Sequence, residues 1–248
     1  MTTADDNWAQ RRVAFGAAAH DYATGRPSYP VEALRWALPE GARTVLDLAA
    51  GTGKVTARLL DLGLEVYAVE PLAEMRAVIP AAAHALDGTA EAIPLGDASV
   101  DAVTVGQAFH WFDPPVALAE MGRVLRPGGT IGLFWNTLDD AVPWVDELCD
   151  VLVAEERASH ISAEPQLIWT GVDGLADPER RLFRHEEPYD ADRLVAYALS
   201  RSQAILLPDA ERAAMVERVR ALTPGGEFAL PLVCEAWRGE RTGRTARR

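Results

Sequence analysis

The chain contains 248 residues, which is enough for one large α/β domain or two small ones, and 49% of them are hydrophobic. That hydrophobic content excludes global disorder. The formal net charge of −13 excludes nucleic-acid binding through the whole surface, because neutralising phosphates requires many Lys and Arg side chains.

Cysteine usage and the N-terminal sequence bear on the cellular setting. The two cysteines, Cys149 and Cys234, lie far apart in apolar surroundings and match no metal-binding spacing. The first residues are acidic and polar, unlike a signal peptide, and no stretch approaches about 18 apolar residues. We therefore expect a reduced, cytoplasmic protein with no membrane partner. No carboxylate–histidine cluster has metal spacing, so we expect no metal site.

The first part of the chain alternates short apolar runs with helical segments. A helix is expected over residues 8–20, and Pro30 can open a second one over residues 31–38. Further helices are predicted over residues 54–62, 73–78 and 114–124, and strands over residues 44–48, 64–70, 82–86, 100–106 and 130–135. The segment 126–129, Arg-Pro-Gly-Gly, is predicted to be a turn. This alternation predicts right-handed crossovers and a mainly parallel sheet.

The rhythm changes after residue 136. Helices are expected over residues 142–158, 191–206 and 210–222, with late strands over residues 181–186 and 228–236. The tail after Trp237 holds five arginines. It is interpreted as a solvated end, the alternative being a basic nucleic-acid arm. We divide the chain into an N-terminal helical cap (1–40), a core (41–140), a helical region with the last strands (141–237) and a flexible basic tail (238–248).

The segment 45–54, Val-Leu-Asp-Leu-Ala-Ala-Gly-Thr-Gly-Lys, carries the strongest functional signal. A strand ends in an acid, and a turn with glycines then opens a helix whose N-terminal N–H groups can face a ligand. A P-loop is excluded, because Val55 follows Lys54 and Leu48 stands where a glycine is required.

A dinucleotide-binding turn also fits poorly. Gly51 and Gly53 match its pattern, but Thr56 occupies the position of the last glycine. The carboxylate of Asp47 would repel a pyrophosphate and would attract an ammonium or a sulfonium. The second strand ends in Glu70, an acid that can accept hydrogen bonds from ribose hydroxyls.

These motifs together resemble those of class I S-adenosylmethionine (SAM)-dependent methyltransferases. Segment 47–53 is similar to their Asp-x-Gly-x-Gly-x-Gly motif, with Ala49 in place of the first glycine. Glu70 and the segments 89–94 and 125–129 match later family motifs in order and spacing. The segment 107–112, Gln-Ala-Phe-His-Trp-Phe, and the N-terminal residues 22–30 resemble the type 11 methyltransferases. That group includes trans-aconitate and ubiquinone-pathway methyltransferase relatives.

The resemblance implies an α/β fold. It would be a Rossmann-like, seven-stranded, mostly parallel sheet with helices on both faces and a helical lid insertion. SAM would lie across the carboxyl ends of the first strands, with Asp47 near its ammonium, Arg26 at its carboxylate and Glu70 at its ribose. The implied cofactor-binding residues are Tyr22, Arg26, Asp47, Ala49, Gly51, Thr52, Gly53, Glu70, Pro71, Met75, Thr89, Ala90 and Gln107.

The acceptor side is the less specific half of the resemblance. His110 follows the fourth strand, where it can act as a general base or shape the pocket as a structural residue. Aromatic walls suit apolar or cationic acceptors. The expected substrate-binding residues are Phe15, Trp111, Trp135, Asn136 and Trp144.

The resulting hypothesis is a SAM-dependent methyltransferase. It would transfer a methyl group to an O, N or C atom of a small-molecule acceptor by in-line displacement, with no nucleic-acid partner and an open oligomeric state. One alternative is a SAM-binding protein without transferase activity. Another, a nucleotide-dependent dehydrogenase, is disfavoured by Asp47 and Thr56.

Overall fold

The structure, a computed structural model, describes residues 24–152, 169, 171–201, 204 and 207–242. The helix predicted over residues 8–20, the candidate site residues Phe15 and Tyr22, and the end of the basic tail lie outside these ranges.

Seven strands form one sheet in the order β3-β2-β1-β4-β5-β7-β6. Strand β1 pairs in parallel with β2 and with β4, and parallel pairs also join β2 to β3 and β4 to β5. The sheet is mostly parallel and includes an antiparallel pair, as predicted. The strands are β1 (Thr44–Leu48), β2 (Glu65–Val69), β3 (His84–Leu86), β4 (Val100–Gly106), β5 (Leu125–Leu138), β6 (Glu179–Tyr189) and β7 (Phe228–Glu240).

Within the described ranges, one α-helix precedes β1 and six more connect the strands, and a 3₁₀ turn, Phe109–Trp111, follows β4. Prolines occupy the first turn of two helices, where a missing N–H costs no intrahelical bond. The helices are α1 (Val31–Ala37), α2 (Lys54–Asp61), α3 (Ala73–Arg76), α4 (Pro114–Val124), α5 (Pro143–Val151), α6 (Ala191–Leu199) and α7 (Asp209–Leu222).

Alternation along β1 explains why helices cover both faces of the sheet. Val45 packs in one buried cluster with residues of α1 and α2, whereas Leu46 and Leu48 pack in a second cluster with residues of α4. Successive strand residues point to opposite faces, so Asp47 shares the face of Val45. The strand therefore directs one carboxylate toward α2.

The described residues divide into two compact units. The core unit comprises residues 28–136, 169, 171–183 and 234–242. The helical unit comprises residues 24–27, 137–152, 184–201, 204 and 207–233. In the helical unit, α5, α6 and α7 enclose an apolar cluster that includes Leu148, Leu194 and Val219. The four-part domain division expected from the sequence stays a prediction.

Three strands, β5, β6 and β7, are longer than predicted, and two earlier expectations are corrected. β5 begins at Leu125, so the Arg-Pro-Gly-Gly segment belongs to the strand and is not a separate turn. β7 continues to Glu240, and the backbone N–H of Arg241 donates to Gly129 O at 2.7 Å. The start of the predicted flexible tail is therefore hydrogen-bonded. Gly239 permits this course, because a Cβ there would lie 2.5 Å from Cζ2 of Trp169.

Gly53 and Gly63 offer a matched test of the close packing at the start of α2. Both have left-handed φ angles, +84° and +78°, but a Cβ on Gly53 would lie 2.7 Å from Pro80 Cδ, whereas a Cβ on Gly63 meets nothing within 4 Å. A left-handed Ala costs about 1–2 kcal/mol at either position. Overpacking adds about 1–3 kcal/mol for Gly53→Ala alone. Urea denaturation should show that difference, and equal losses for the two variants would contradict the described contact.

Candidate active site

The motif loop, residues 49–53, follows β1 at the carboxyl edge of the parallel strands. Leu48 is level with Val69 of β2, so the loops after these two strands begin side by side. Three of its residues have positive φ: Ala49 (+54°), Gly51 (+56°) and Gly53 (+84°). An L-residue in this conformation costs about 1–2 kcal/mol, so Ala49 holds backbone strain where the family motif has glycine. Such strain concentrates at functional sites.

Asp47 lies one residue before the end of β1 and is 1% exposed. Its Oδ2 accepts a hydrogen bond from Thr56 Oγ1 at 2.5 Å. Burial raises the pKa of this carboxyl from 3.8 to about 7. The hydrogen bond from Thr56 opposes the rise, whereas the nearby charge of Glu70 adds to it. The site therefore contains a buried acid whose charged form is costly without a ligand.

Two buried oxygen atoms at the motif loop have no hydrogen-bond partner among the described residues. They are Oδ1 of Asp47 and Oγ1 of Thr52. Thr52 is 9% exposed and lies within the loop itself. Buried polar atoms are usually paired, and an unpaired one requires an explanation such as a missing ligand. A cation with N–H donors would satisfy the acid oxygen.

Glu70 joins the motif loop to the turn after β2. Its Oε2 accepts from the backbone N–H of Gly51 at 2.9 Å, and its Oε1 accepts from the backbone N–H of Leu72 at 2.9 Å. The side chain is buried, with 4% exposure. A carboxylate offers about four acceptor positions, so Glu70 can hold both loops and also accept a bond from a ribose hydroxyl.

Gln107 begins the loop after β4 with a left-handed φ of +56°. Its backbone N–H donates to Phe134 O at 2.8 Å, and its Nε2 donates to Asn136 O at 2.7 Å. Asn136 is buried, and its Nδ2 donates to Ser28 O at 2.8 Å. These bonds fix the ends of β4 and β5 against the start of the core unit.

His110 and Trp111 lie on the 3₁₀ turn after β4. The ring of His110 is exposed, and its centroid lies 4.6 Å from that of Trp111. Trp135, near the end of the adjacent β5, is half-buried against the core. The turn therefore presents an imidazole to solvent beside an indole, an arrangement that suits proton transfer next to an apolar contact.

The remaining predicted cofactor residues of the core unit lie after β2 and after β3 in the chain. Met75 and Ala90 are buried, with 6% and 4% exposure. Pro71 is half-buried, and Thr89 is exposed. Their roles in holding a cofactor stay predictions.

Two predicted site residues belong to the helical unit. Arg26 Nε donates to Ser200 Oγ at 3.0 Å, and its Nη2 donates to Ser200 O at 3.3 Å. The ring of Trp144 packs edge-on against that of Phe228, with centroids 5.6 Å apart. Their expected contacts with cofactor and acceptor stay predictions.

Sequence reasoning missed the roles of two threonines. In the sequence, Thr56 counts only against a dinucleotide-binding turn, and Thr104 is predicted only as a residue of the strand over 100–106. Both are fully buried: the Thr56 hydroxyl donates to the Asp47 carboxylate, and the Thr104 hydroxyl donates to Leu46 O, at the residue before Asp47, at 3.2 Å. The available signal was the nine-residue separation between Asp47 and Thr56 across the loop, which places a hydroxyl on the first turn of α2.

Among residues 24–152, 169, 171–201, 204 and 207–242, no group of three or more His, Cys, Asp or Glu side chains is arranged to hold a metal ion. No helix among these residues has both the length and the apolar character needed to cross a membrane.

Comparisons with known proteins show the family to which the chain belongs. A family model described as a methyltransferase domain matches residues 46–133. The chain is 43% identical over 243 residues to an uncharacterized methyltransferase of Mycobacterium tuberculosis, covering 89% of this chain and 93% of that protein. It is 36% identical over 205 residues to an uncharacterized methyltransferase of Schizosaccharomyces pombe, covering 79% and 81%. The YcgJ protein of Bacillus subtilis shares the fold, with a TM-score of 0.54, 20% identity, and coverage of 85% and 97%.

The raised pKa of Asp47 predicts a pH-dependent stability in the absence of ligand. The folded state holds the proton of Asp47 more tightly than the unfolded state, so the contribution of this carboxyl to stability is fully present below pH 3.8 and is lost as pH rises to about 7. The loss is up to about 4 kcal/mol. Asp47→Asn should remove it, so the variant should gain stability relative to the wild type as pH increases. Urea denaturation at pH 4–8 measures this.

Asp101 provides a control of opposite sign. Burial alone would raise its pKa, but hydrogen bonds from the Thr44 backbone and from Arg126 outweigh burial and lower it. Its contribution is present above pH 3.8 and is lost as pH falls through the lowered pKa. Asp101→Asn should therefore lose stability relative to wild type at neutral pH. Parallel pH profiles for wild type and Asp47→Asn would contradict the buried-acid interpretation.

Proposed function

Because this chain belongs to the class I SAM-dependent methyltransferases of the type 11 family, we propose that it methylates an oxygen, nitrogen or carbon atom of a small-molecule acceptor. One observation carries the cofactor half of the proposal, namely the buried Asp47 carboxylate beside the motif loop, with Oδ1 left unpartnered among the described residues. A cytoplasmic location and the absence of a nucleic-acid partner are part of the same proposal.

The residues of the core unit fit SAM in their chemistry. SAM carries an ammonium and a sulfonium and no phosphate, which suits a site built on carboxylates. Asp47 and Thr52 would hold the methionine portion through their unpartnered oxygens. Glu70 would accept from the ribose, and Met75 and Ala90 would pack against the adenine. Thr89 would meet the polar edge of the adenine, and Gln107 would lie against the methionine portion.

Bound SAM supplies a methyl group on a positively charged sulfur, ready for displacement by a nucleophile. The protein has to align the acceptor atom with that methyl and keep water away. Alignment of this kind is worth roughly 7–11 kcal/mol of the barrier. Trp111 and Trp135 offer apolar walls for this purpose. Asn136, whose amide donates to Ser28 O, stays a proposed acceptor contact. Phe15 and Trp144 remain proposed acceptor contacts.

His110 is the proposed general base. Its ring is exposed on the turn after β4, so it is accessible to an acceptor. An imidazole can take the proton that a hydroxyl, an amine or an acidic carbon loses on methylation. General-base help contributes about 10²–10⁴-fold, so the reaction depends on alignment first and on His110 second.

Ligand binding tests the cofactor proposal. SAM and S-adenosylhomocysteine should each raise the melting temperature, because a ligand of the native state stabilises it. Asp47→Ala and Glu70→Gln should each weaken binding by about 10-fold or more, since each removes a charged acceptor. Glu235→Gln is the control: this buried acid bonds Arg180 and Trp237, so its loss should leave the ligand-induced shift unchanged. No shift for the wild type at millimolar ligand would refute the cofactor assignment.

The kinetics of the His110→Ala variant test the part of the proposal that concerns the acceptor. Incubation with SAM bearing a deuterated methyl group and a metabolite extract, read by mass spectrometry, identifies the acceptor. His110→Ala should then lower turnover at least 10-fold, while SAM affinity stays within a few-fold of the wild-type value. Trp135→Leu should raise the acceptor KM. His84→Ala, which removes an exposed histidine of β3, should change neither. Unchanged turnover in His110→Ala would make His110 structural.

A further inference from the structure

Thr56 lies in the first turn of α2 and is fully buried, although its hydroxyl is polar. That hydroxyl donates to Asp47 Oδ2 at 2.5 Å. The helix therefore supplies a side-chain donor to the acid at the end of β1, across the motif loop. A bond this short to a carboxylate is typical of a strong, charge-assisted interaction.

The consequence for Asp47 is geometric. A carboxyl group rotates about a single bond, and fixing one oxygen also fixes the direction of the other. Thr56 holds Oδ2, and Oδ1 is the oxygen that has no partner among the described residues. The arrangement keeps one acid oxygen available at a defined orientation.

We propose that Thr56 is a positioning residue for the cofactor: it orients the Asp47 carboxylate so that Oδ1 accepts a hydrogen bond from the ammonium of SAM. The inference rests on the proposed function, because it needs a cationic ligand at the motif loop. Thr56 acts through Asp47 and need not touch the ligand itself.

The position of Thr56 explains why this turn selects a cation. In a dinucleotide-binding turn the corresponding residue is a glycine, which lets the helix pack closely against the strand. Here the helix brings a hydroxyl to the acid instead. Asp47 and Thr56 are therefore a functional pair, in which the acid provides the negative charge and the threonine orients the carboxylate.

The test compares two ligands that differ in the amino-acid portion, which carries the ammonium. Calorimetric titration with S-adenosylhomocysteine, which has the amino-acid portion, is set against 5′-methylthioadenosine, which lacks it. Thr56→Val should weaken S-adenosylhomocysteine binding by about 10-fold or more, because a hydrogen bond to a charged group is lost. It should leave 5′-methylthioadenosine binding within about 2-fold. Thr56→Ser should restore S-adenosylhomocysteine affinity to within about 3-fold of the wild-type value, since it keeps the hydroxyl.

Thr130→Val is the matched control. Thr130 is also fully buried, and its hydroxyl donates to Ala37 O at 2.7 Å. Its replacement should affect both ligands equally or not at all. Circular dichroism checks that each variant is folded, and Thr56→Ala provides the same comparison if Thr56→Val does not fold.

The outcomes separate the inference from the proposed function. Wild-type protein that binds neither SAM nor S-adenosylhomocysteine overturns the proposed function and this inference with it. Wild-type binding with unchanged S-adenosylhomocysteine affinity in Thr56→Val overturns the inference alone. Equal weakening of both ligands in Thr56→Val also overturns it, because that pattern indicates general damage to the loop. Loss confined to the ligand with the ammonium, with rescue by serine, supports it.

Discussion

The burial of one carboxylate at the end of β1 is the constraint on which the site depends. Strand alternation places Asp47 on the face that packs against α2, the same face as the apolar cluster that contains Val45 and Val55. Removing a charged carboxylate from water is expensive unless donors or a cation compensate it. The sheet, the helix and the loop between them therefore enclose a group that is most stable when neutral or when bound to a positive ligand.

The surrounding loops are held by polar bonds that reach across the sheet edge. Glu70 bonds the motif loop and the turn after β2, and Gln107 connects the end of β4 to the end of β5. Backbone strain is stored at both places, since Ala49 and Gln107 have left-handed φ angles. Strain of this kind persists only where the neighbouring bonds enforce the conformation. The loops at this edge of the sheet therefore hold their conformation in the absence of ligand.

The sequence predicted the parts of this structure that depend on local patterns. Helix α4 begins and ends at the predicted residues, because two prolines open it and a leucine of the next strand closes it. The strand–turn–helix at Asp47 was predictable from an apolar run, an acid and two glycines. β5 and β7 were predicted too short, because Arg-Pro-Gly-Gly and a tail rich in Gly and Arg are typical of loops. Their extension depends on contacts with distant residues, such as the packing of Gly239 on Trp169.

The sequence identified several residues of the candidate site, but it predicted few of the hydrogen bonds that they make. Asp47 and Glu70 were identified from spacing, but the partners of Glu70 are backbone N–H groups of two loops, which no side-chain pattern reveals. The role of Thr56 required the geometry of the first turn of α2. The chemistry of His110 depends on an acceptor that the sequence does not specify. Long-range bonds and the identity of the ligand are thus the two quantities that a single sequence encodes least directly.

The bridging of two loops by Glu70 has a consequence for how energies combine at this site. A substitution near Gly51 and one near Leu72 both act on the same carboxylate, through bonds of equal length. Residues that share a partner show interaction energies of about 0.5–3 kcal/mol in double-mutant cycles, whereas distant residues add. The effects of changes in the two loops on ligand affinity will therefore not sum, and the two loops form a single thermodynamic unit although they are separated in the chain by a helix and a strand.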